Sequence, residues 1–141
     1  MPWRPLAALS AFRTKETPHQ LGTRGERIAR RYLRRRGYKS ILKNARVPLG
    51  EADIVCLAPD EKTIVVVEVK TRRLSKDPEK QAPPPEANIT AHKRRKLVQV
   101  TESLAKKHRW TDRPLRIDVI AIDIPTRGKP EIRHFQRAVT R

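Results

Sequence analysis

Thr63-Ile-Val-Val-Val-Glu-Val-Lys-Thr-Arg72 and Gly50-Glu-Ala-Asp-Ile-Val55 are two apolar runs of strand length, each carrying charged residues at every second position. Side chains alternate across a strand, so Glu51 and Asp53 share one face of the first run and Glu68 and Lys70 one face of the second. The intervening Ala58-Pro-Asp-Glu-Lys62 reads as a hairpin turn. A turn centred between Asp60 and Glu61 sets Asp53 opposite Glu68 and Glu51 opposite Lys70, with Cβ atoms about 4.5–5.5 Å apart. Two carboxylates would then converge beside an ammonium group. A slip of one residue would turn Asp53 and Glu68 to opposite faces, so the reading depends on register.

The chain around this hairpin is strongly basic. Its 33 Lys and Arg against 15 Asp and Glu give a formal charge of +18, a long-range positive potential that points to a polyanionic partner, nucleic acid before an anionic membrane surface. With 141 residues, 37% of them hydrophobic, one folded domain is expected. The single Cys56 lies in an apolar strand and excludes an internal disulfide or a cysteine zinc cluster; a reducing, cytoplasmic setting agrees with it. His19, His92, His108 and His134 lack metal-ligand spacing. No apolar run approaches the ~20 residues that span a membrane.

In chain order, residues 1–20 mix Pro2, Pro5 and Pro18 with basic residues and read as a flexible basic tail before a domain over 21–136. From Leu21 to Arg36, Leu21, Gly25, Ile28, Ala29, Tyr32 and Leu33 fall in one helical arc of about 140°, with Arg27, Arg30, Arg31, Arg34 and Arg35 opposite. Gly37 supplies the stop. Glu26 lies at the margin of the apolar face; it reads equally as a carboxylate drawn to the helix start or as a site residue looking inward. Tyr38–Val47 reads as a strand, and Pro48-Leu-Gly50 turns into the hairpin. Leu74–Glu86, with Pro78, Pro83, Pro84 and Pro85, is expected to hold no regular element, as a linker or a substrate-contacting flap. Thr90 caps a second helix running to about His108, buried along Leu97, Val100, Thr101, Leu104 and Ala105. Its first turns carry Lys93, Arg94, Arg95 and Lys96 against the macrodipole preference, which favours an anionic partner. Leu115–Ile122 is a strand covered on both faces, and Glu131–Phe135 a short final strand before a basic tail over 137–141. Asp118 is best read as the buried partner of an Arg or Lys. The order is α-β-β-β-α-β-β.

Two carboxylates with a backbone carbonyl nearby are hard oxygen ligands suited to Mg²⁺ or Mn²⁺, with the remaining ligands taken from water and substrate phosphate. Lys70 would position an attacking water or stabilise charge developing on phosphorus, and Glu51 would complete the metal shell or hold Lys70. The same four residues would equally make a cross-strand ladder of ion pairs, worth a fraction of a kcal/mol each. Arg30, Arg34, Arg46, Arg72, Lys93 and Lys96 are the expected phosphate contacts. A nucleic-acid-binding protein that does no chemistry is the alternative of a different class.

The arrangement Asp53…Glu68-Val69-Lys70 resembles the signature of the PD-(D/E)XK, or restriction-endonuclease-like, nuclease superfamily. The wider pattern is Gly22…Gly25-Glu26…Ala29…Tyr32-Leu33…Gly37-Tyr38, Asn44…Arg46…Gly50-Glu51-Ala52-Asp53, Val67-Glu68-Val69-Lys70-Thr71-Arg72, Lys93…Lys96-Leu97 and Arg116-Ile117-Asp118-Val119. It resembles the YraN family of uncharacterised bacterial proteins and is similar to archaeal Holliday-junction resolvases, whose first-helix glutamate matches Glu26. The resemblance implies a mixed sheet flanked by helices, a metal held by Asp53, Glu68 and the Val69 carbonyl, and an endonuclease acting on DNA, branched or structured. A homodimer is expected if the substrate is a symmetric junction, since cutting it takes two sites. Ala52 stands where the superfamily signature has proline, and a glycine expected after Arg73 is missing.

Overall fold

A computed structural model describes residues 15–140 of the chain. The tail expected over 1–20 lies largely outside the described residues, as does Arg141. The chain order is α1 (Pro18–Arg35), β1 (Lys39–Val47), β2 (Gly50–Leu57), β3 (Ile64–Arg73), α2 (Ala91–Lys107), β4 (Leu115–Ile124) and β5 (Glu131–Val139). This is the expected order.

α1 begins three residues earlier than the apolar stripe indicated. The Thr17 hydroxyl accepts from the Gln20 N–H while the Gln20 side chain accepts from the Thr17 N–H, and Pro18 takes the first helical position, where its missing N–H is harmless. α2 is capped by Thr90 as expected. β5 runs on to Val139, beyond the expected end at Phe135. The proline-rich stretch holds two short 3-10 turns, Pro78–Lys80 and Pro85–Asn88, where none was expected. Each opens on a proline, whose fixed φ suits a single tight turn although it forbids a longer helix.

The five strands form one sheet in the order β1-β2-β3-β4-β5. β3 and β4 are parallel and joined through α2; the other pairs are antiparallel. α1 covers one face, where Ala29 and Leu33 meet Ile54, Cys56, Val65, Val67, Ile120 and Ile122. α2 covers the other, where Val100 and Leu104 meet Ala52, Val55, Ile64 and Val66. β3 is buried on both faces, which explains its unbroken apolar run from Ile64 to Val67. No helix among the described residues is long and apolar enough to cross a membrane.

Candidate active site

β2 and β3 pair in the register expected from the turn, Ile54 with Val67, Val55 with Val66, Cys56 with Val65 and Leu57 with Ile64. The ladder ends at Ile54 and Val67, one rung before Asp53 and Glu68. There the Asp53 Oδ2 accepts the Val69 N–H at 2.8 Å, so a side chain takes the place of a backbone bond. The strands part at this point and expose Glu68, Val69 and Lys70, each half-buried, beside Asp53.

A second irregularity lies on the other side of Asp53. β1 and β2 pair at Lys43 with Ile54 and at Ala45 with Ala52, leaving Asn44 opposite Asp53 on the rung between. Asn44 has φ +50°, and across it the pleat reverses. Leu42 and Ala45, three residues apart, pack into the same α2-side core. Ala52 and Ile54, which a regular strand would put on one face, pack on opposite faces. Asp53 therefore projects from the rung at which the alternation of both strands inverts.

Four carboxylates gather here. Asp53 lies beside Glu68 and Glu26. Burial, then the Glu68 charge beside it, pushes the Asp53 carboxyl up to about 8, and the bond from Val69 N–H only partly offsets this. Glu26 is also raised, by burial first and by Glu51 and Glu68, against the lowering effect of Arg30 one turn along the helix. Since Glu26 lies in the middle of α1, its reading as a helix-start carboxylate does not hold; it faces the sheet. Arg46 Nε forms an ion pair with Glu51 Oε2 at 3.3 Å, and Lys70 Nζ lies 3.1 Å from Glu68 Oε1. The expected pairing of Glu51 with Lys70 is thus absent. Once β2 and β3 part, Glu51 turns to its β1 neighbour and Lys70 to the carboxylate two residues back on its own strand.

A feature not singled out from the residue pattern joins this group. With its NH₂ turned towards the carboxylates, the orientation that keeps its carbonyl oxygen away from them, Asn44 donates to Glu51 Oε1 at 3.1 Å and to Glu26 Oε2 at 3.2 Å. The available signal was an asparagine within a strand, where that residue is disfavoured unless its tolerance of positive φ is used.

The cations divide into three groups. Lys93 and Lys96 of α2 line a pocket of about 160 Å³ together with Glu51, Glu68 and Lys70, over an apolar floor of Ile89, Leu97 and Val100. Gly50 permits that approach, because a Cβ there would stand 3.0 Å from Val100 Cγ2 and 3.3 Å from Lys96 Cε. Arg30 and Arg34 line a cleft of about 400 Å³ between α1 and β1 with Arg27, Arg31 and Lys39, and the Arg46 side chain is 85% exposed at the other end of β1. Arg72 is placed elsewhere. Its guanidinium bonds both oxygens of Asp123, at 2.9 and 3.1 Å, and reaches the Ala82 carbonyl, so it holds the sheet and the proline-rich stretch instead of facing outward with the other cations.

Among the described residues, no three His, Cys, Asp or Glu side chains already form a metal cage. The donor set at Asp53, Glu68 and the Val69 carbonyl nevertheless suits an ion that takes one or two carboxylates and keeps its waters, as Mg²⁺ does. The observation in its favour is the gathering of carboxylates around Asp53, whose carboxyl is raised by burial and then by the Glu68 charge.

Asp118, the other acid noted in the sequence, is fully buried and structural. It bonds Arg116 at 2.9 Å, His134 Nε2 at 2.8 Å and the Arg137 N–H at 3.1 Å.

Comparison with known proteins follows the same residues. The family described as Uncharacterised protein family UPF0102 matches residues 25–122, which include all four carboxylates and Asn44. A UPF0102 protein of Geotalea uraniireducens is 41% identical over 118 residues, covering 84% of this chain and 87% of that protein. One of Pelobacter propionicus is 37% identical over 117 residues, 83% of this chain and 80% of that protein. A solved repair endonuclease from Pyrococcus abyssi is 16% identical with a TM-score of 0.43, over 82% of this chain and 42% of that one, a likeness too distant to carry fold or activity.

Proposed function

The chain belongs to the uncharacterised protein family UPF0102, the family that its motifs resemble, and from that premise and the geometry of the acidic cluster we propose that it is a divalent-metal-dependent endonuclease hydrolysing phosphodiester bonds of DNA, branched or structured. The carrying observation is the Asp53 carboxylate, brought against Glu68 where β2 and β3 part and raised by burial and by the Glu68 charge beside it.

Asp53 and Glu68, with the Val69 carbonyl, would hold Mg²⁺ or Mn²⁺. Such an ion, when bound, neutralises phosphate charge and makes water a nucleophile near neutral pH. The chain's own groups supply the rest. Lys70, tethered to Glu68 and partly exposed, stabilises charge developing on the phosphate oxygens. Glu26, its carboxyl raised by burial beside these carboxylates and outside the proposed ligand set, is the group placed to take the proton that water loses. Lys93 and Lys96 face the same pocket and would seat the scissile phosphate, while Arg30 and Arg34, in a separate cleft beside α1, would contact phosphates further away.

The test is incubation of the purified chain with labelled branched, duplex and single-stranded DNA in Mg²⁺ or Mn²⁺, beside Asp53→Ala and Glu68→Ala. Cleavage by the wild type alone is the expected result. Cleavage that persists in both variants would sink the assignment. Salt-sensitive DNA binding with no cleavage under any metal would favour the reading of a binding protein without chemistry.

A further inference from the structure

We propose that Asn44 is a positioning residue, whose amide holds the Glu26 carboxylate of α1 and the Glu51 carboxylate of β2 in one fixed relation to Asp53. Its catalytic consequence rests on the hydrolase reading above; the geometry stands apart from that reading.

Three observations converge on this side chain. First, its NH₂ group reaches carboxylates from two different elements, at 3.1 Å for Glu51 and 3.2 Å for Glu26. An amide NH₂ carries two N–H donors and no charge, so it satisfies one acceptor on each side. A lysine or arginine there would bring a competing positive charge to a metal site, and an aspartate would add a fifth negative one. Second, Asn44 has φ +50° inside β1. Among residues with side chains, asparagine is one of the few that adopts this conformation readily, because its short polar group compensates locally. Third, Asn44 lies opposite Asp53, on the rung where both strands reverse their alternation. The left-handed backbone and the amide thus act at one point. The backbone turns Asp53 to its place, and the side chain fixes the two glutamates around it.

These two roles are separable. Asn44→Gly keeps the left-handed backbone and removes the amide. Asn44→Asp keeps the backbone and the outline but replaces both donors with acceptors, facing two carboxylates. Both variants and the wild type are expected to unfold cooperatively. With labelled branched DNA and Mg²⁺, kcat is expected to fall about 10- to 100-fold in each, as when the partners that orient metal-site ligands are removed, with KM within about twofold. In a Glu26→Ala background, Asn44→Gly is expected to lower kcat little further.

The second readout needs no turnover. Tm is measured for Asn44→Gly, Glu26→Ala, Glu51→Ala and the two double variants with Asn44→Gly. Tm shifts that fail to add, with the double variants losing less than the sum, show that the amide joins the two carboxylates. A wild-type kcat in Asn44→Gly, or Tm shifts that add strictly, would overturn the proposal. A wild-type chain that cuts no DNA would count against the hydrolase reading alone, since the Tm cycle still decides the role of the amide.

Discussion

Gly25 of α1 lies directly over Thr71 of β3: a Cβ at position 25 would stand 2.8 Å from the Thr71 Cβ, closer than such atoms approach. Gly25 is buried and immediately precedes Glu26, so this contact determines how near the glutamate comes to Asp53.

Gly25→Ala should therefore act against helix propensity. Alanine inside a helix is favoured over glycine by about 1 kcal/mol, but overpacking of a close contact costs about 1–3 kcal/mol. A net loss of up to about 2 kcal/mol in urea denaturation is expected, with Glu26 displaced from the cluster and DNA cleavage reduced. Gly22→Ala on the same helix is the matched control, because nothing lies within 4 Å of a Cβ there. It should stabilise the protein by up to about 1 kcal/mol. Equal effects of the two substitutions would refute the close-approach argument.

This pair also shows which parts of the fold could be read from sequence. The helical wheel puts Gly25 on the inner side of α1 with Glu26 at its margin, and a turn centred between Asp60 and Glu61 sets the β2–β3 register; both are local rules that the structure follows. The hairpin register was readable because Asp60 turns the chain by itself, accepting the Lys62 and Thr63 N–H groups at 2.9 Å each. What could not be read depends on departures from those periods or on residues distant in the chain. The pleat reversal at Asn44 and Asp53 breaks the alternation that the reading assumes, which is why Glu51 was expected to meet Lys70 and instead meets Arg46. Arg72, expected to contact nucleic acid, is claimed by Asp123, 51 residues later, through a contact that no spacing rule reveals.

The carboxylate crowding makes a prediction about stability and pH. Burial and the Glu68 charge push the Asp53 carboxyl from its ordinary 3.8 up to about 8 in the folded chain. The folded state therefore binds more protons between these values, and the sign follows: this contribution is fully present below pH 4 and lost as pH rises through 8. Asp53→Asn should flatten that part of the profile, so that its Tm relative to wild type is higher at pH 9 than at pH 5. Because a metal ion would replace the proton, Mg²⁺ should raise the wild-type Tm more at pH 8.5 than at pH 5.5, and should have little effect on Asp53→Asn. A pH-independent difference between wild type and variant in differential scanning calorimetry would contradict the burial argument.

The proline-rich stretch is held to the sheet by a second charge network. Arg133 bonds Glu86 at 2.9 and 3.0 Å and Asp123 at 3.0 Å, while Arg72 binds Asp123 from the other side and reaches Ala82. Asp123 is 4% exposed, so the guanidinium groups compensate a buried carboxylate. Arg133→Met should release Glu86 and free residues 74–90, with a several-fold faster tryptic cut at Lys76 or Lys80. The loss of global stability should be modest, about 1–3 kcal/mol, because Arg72 still covers Asp123. Ile89 and Lys93 lie at the end of this stretch and line the pocket beside Glu68, so DNA affinity should fall in the same variant. Unchanged proteolysis would show that the turns at Pro78 and Pro85 hold the stretch unaided.

Asp118 is the most deeply enclosed charge among the described residues, with 0% of its surface exposed, and its partners come from both sides. Arg116 pairs with it in a fork and also donates to the Tyr38 hydroxyl at 2.7 Å, while His134 bonds it from β5 with its ring against Tyr32. Burial alone would raise the Asp118 carboxyl, but the bonds from His134, Arg116 and the Arg137 N–H outweigh it and hold the carboxyl below its ordinary value of 3.8. Asp118→Asn keeps the shape but leaves the half-buried Arg116 without its counter-charge, a loss of about 2–4 kcal/mol. A group with a lowered folded value gives stability that is present above pH 4 and lost as pH falls through that folded value. The gap between wild type and Asp118→Asn in urea midpoints should therefore be widest near pH 6 and should narrow below pH 4, as the wild type takes up the proton that the variant cannot bind. A gap that stays constant down to pH 2.5 would mean that the asparagine loses packing geometry and not charge.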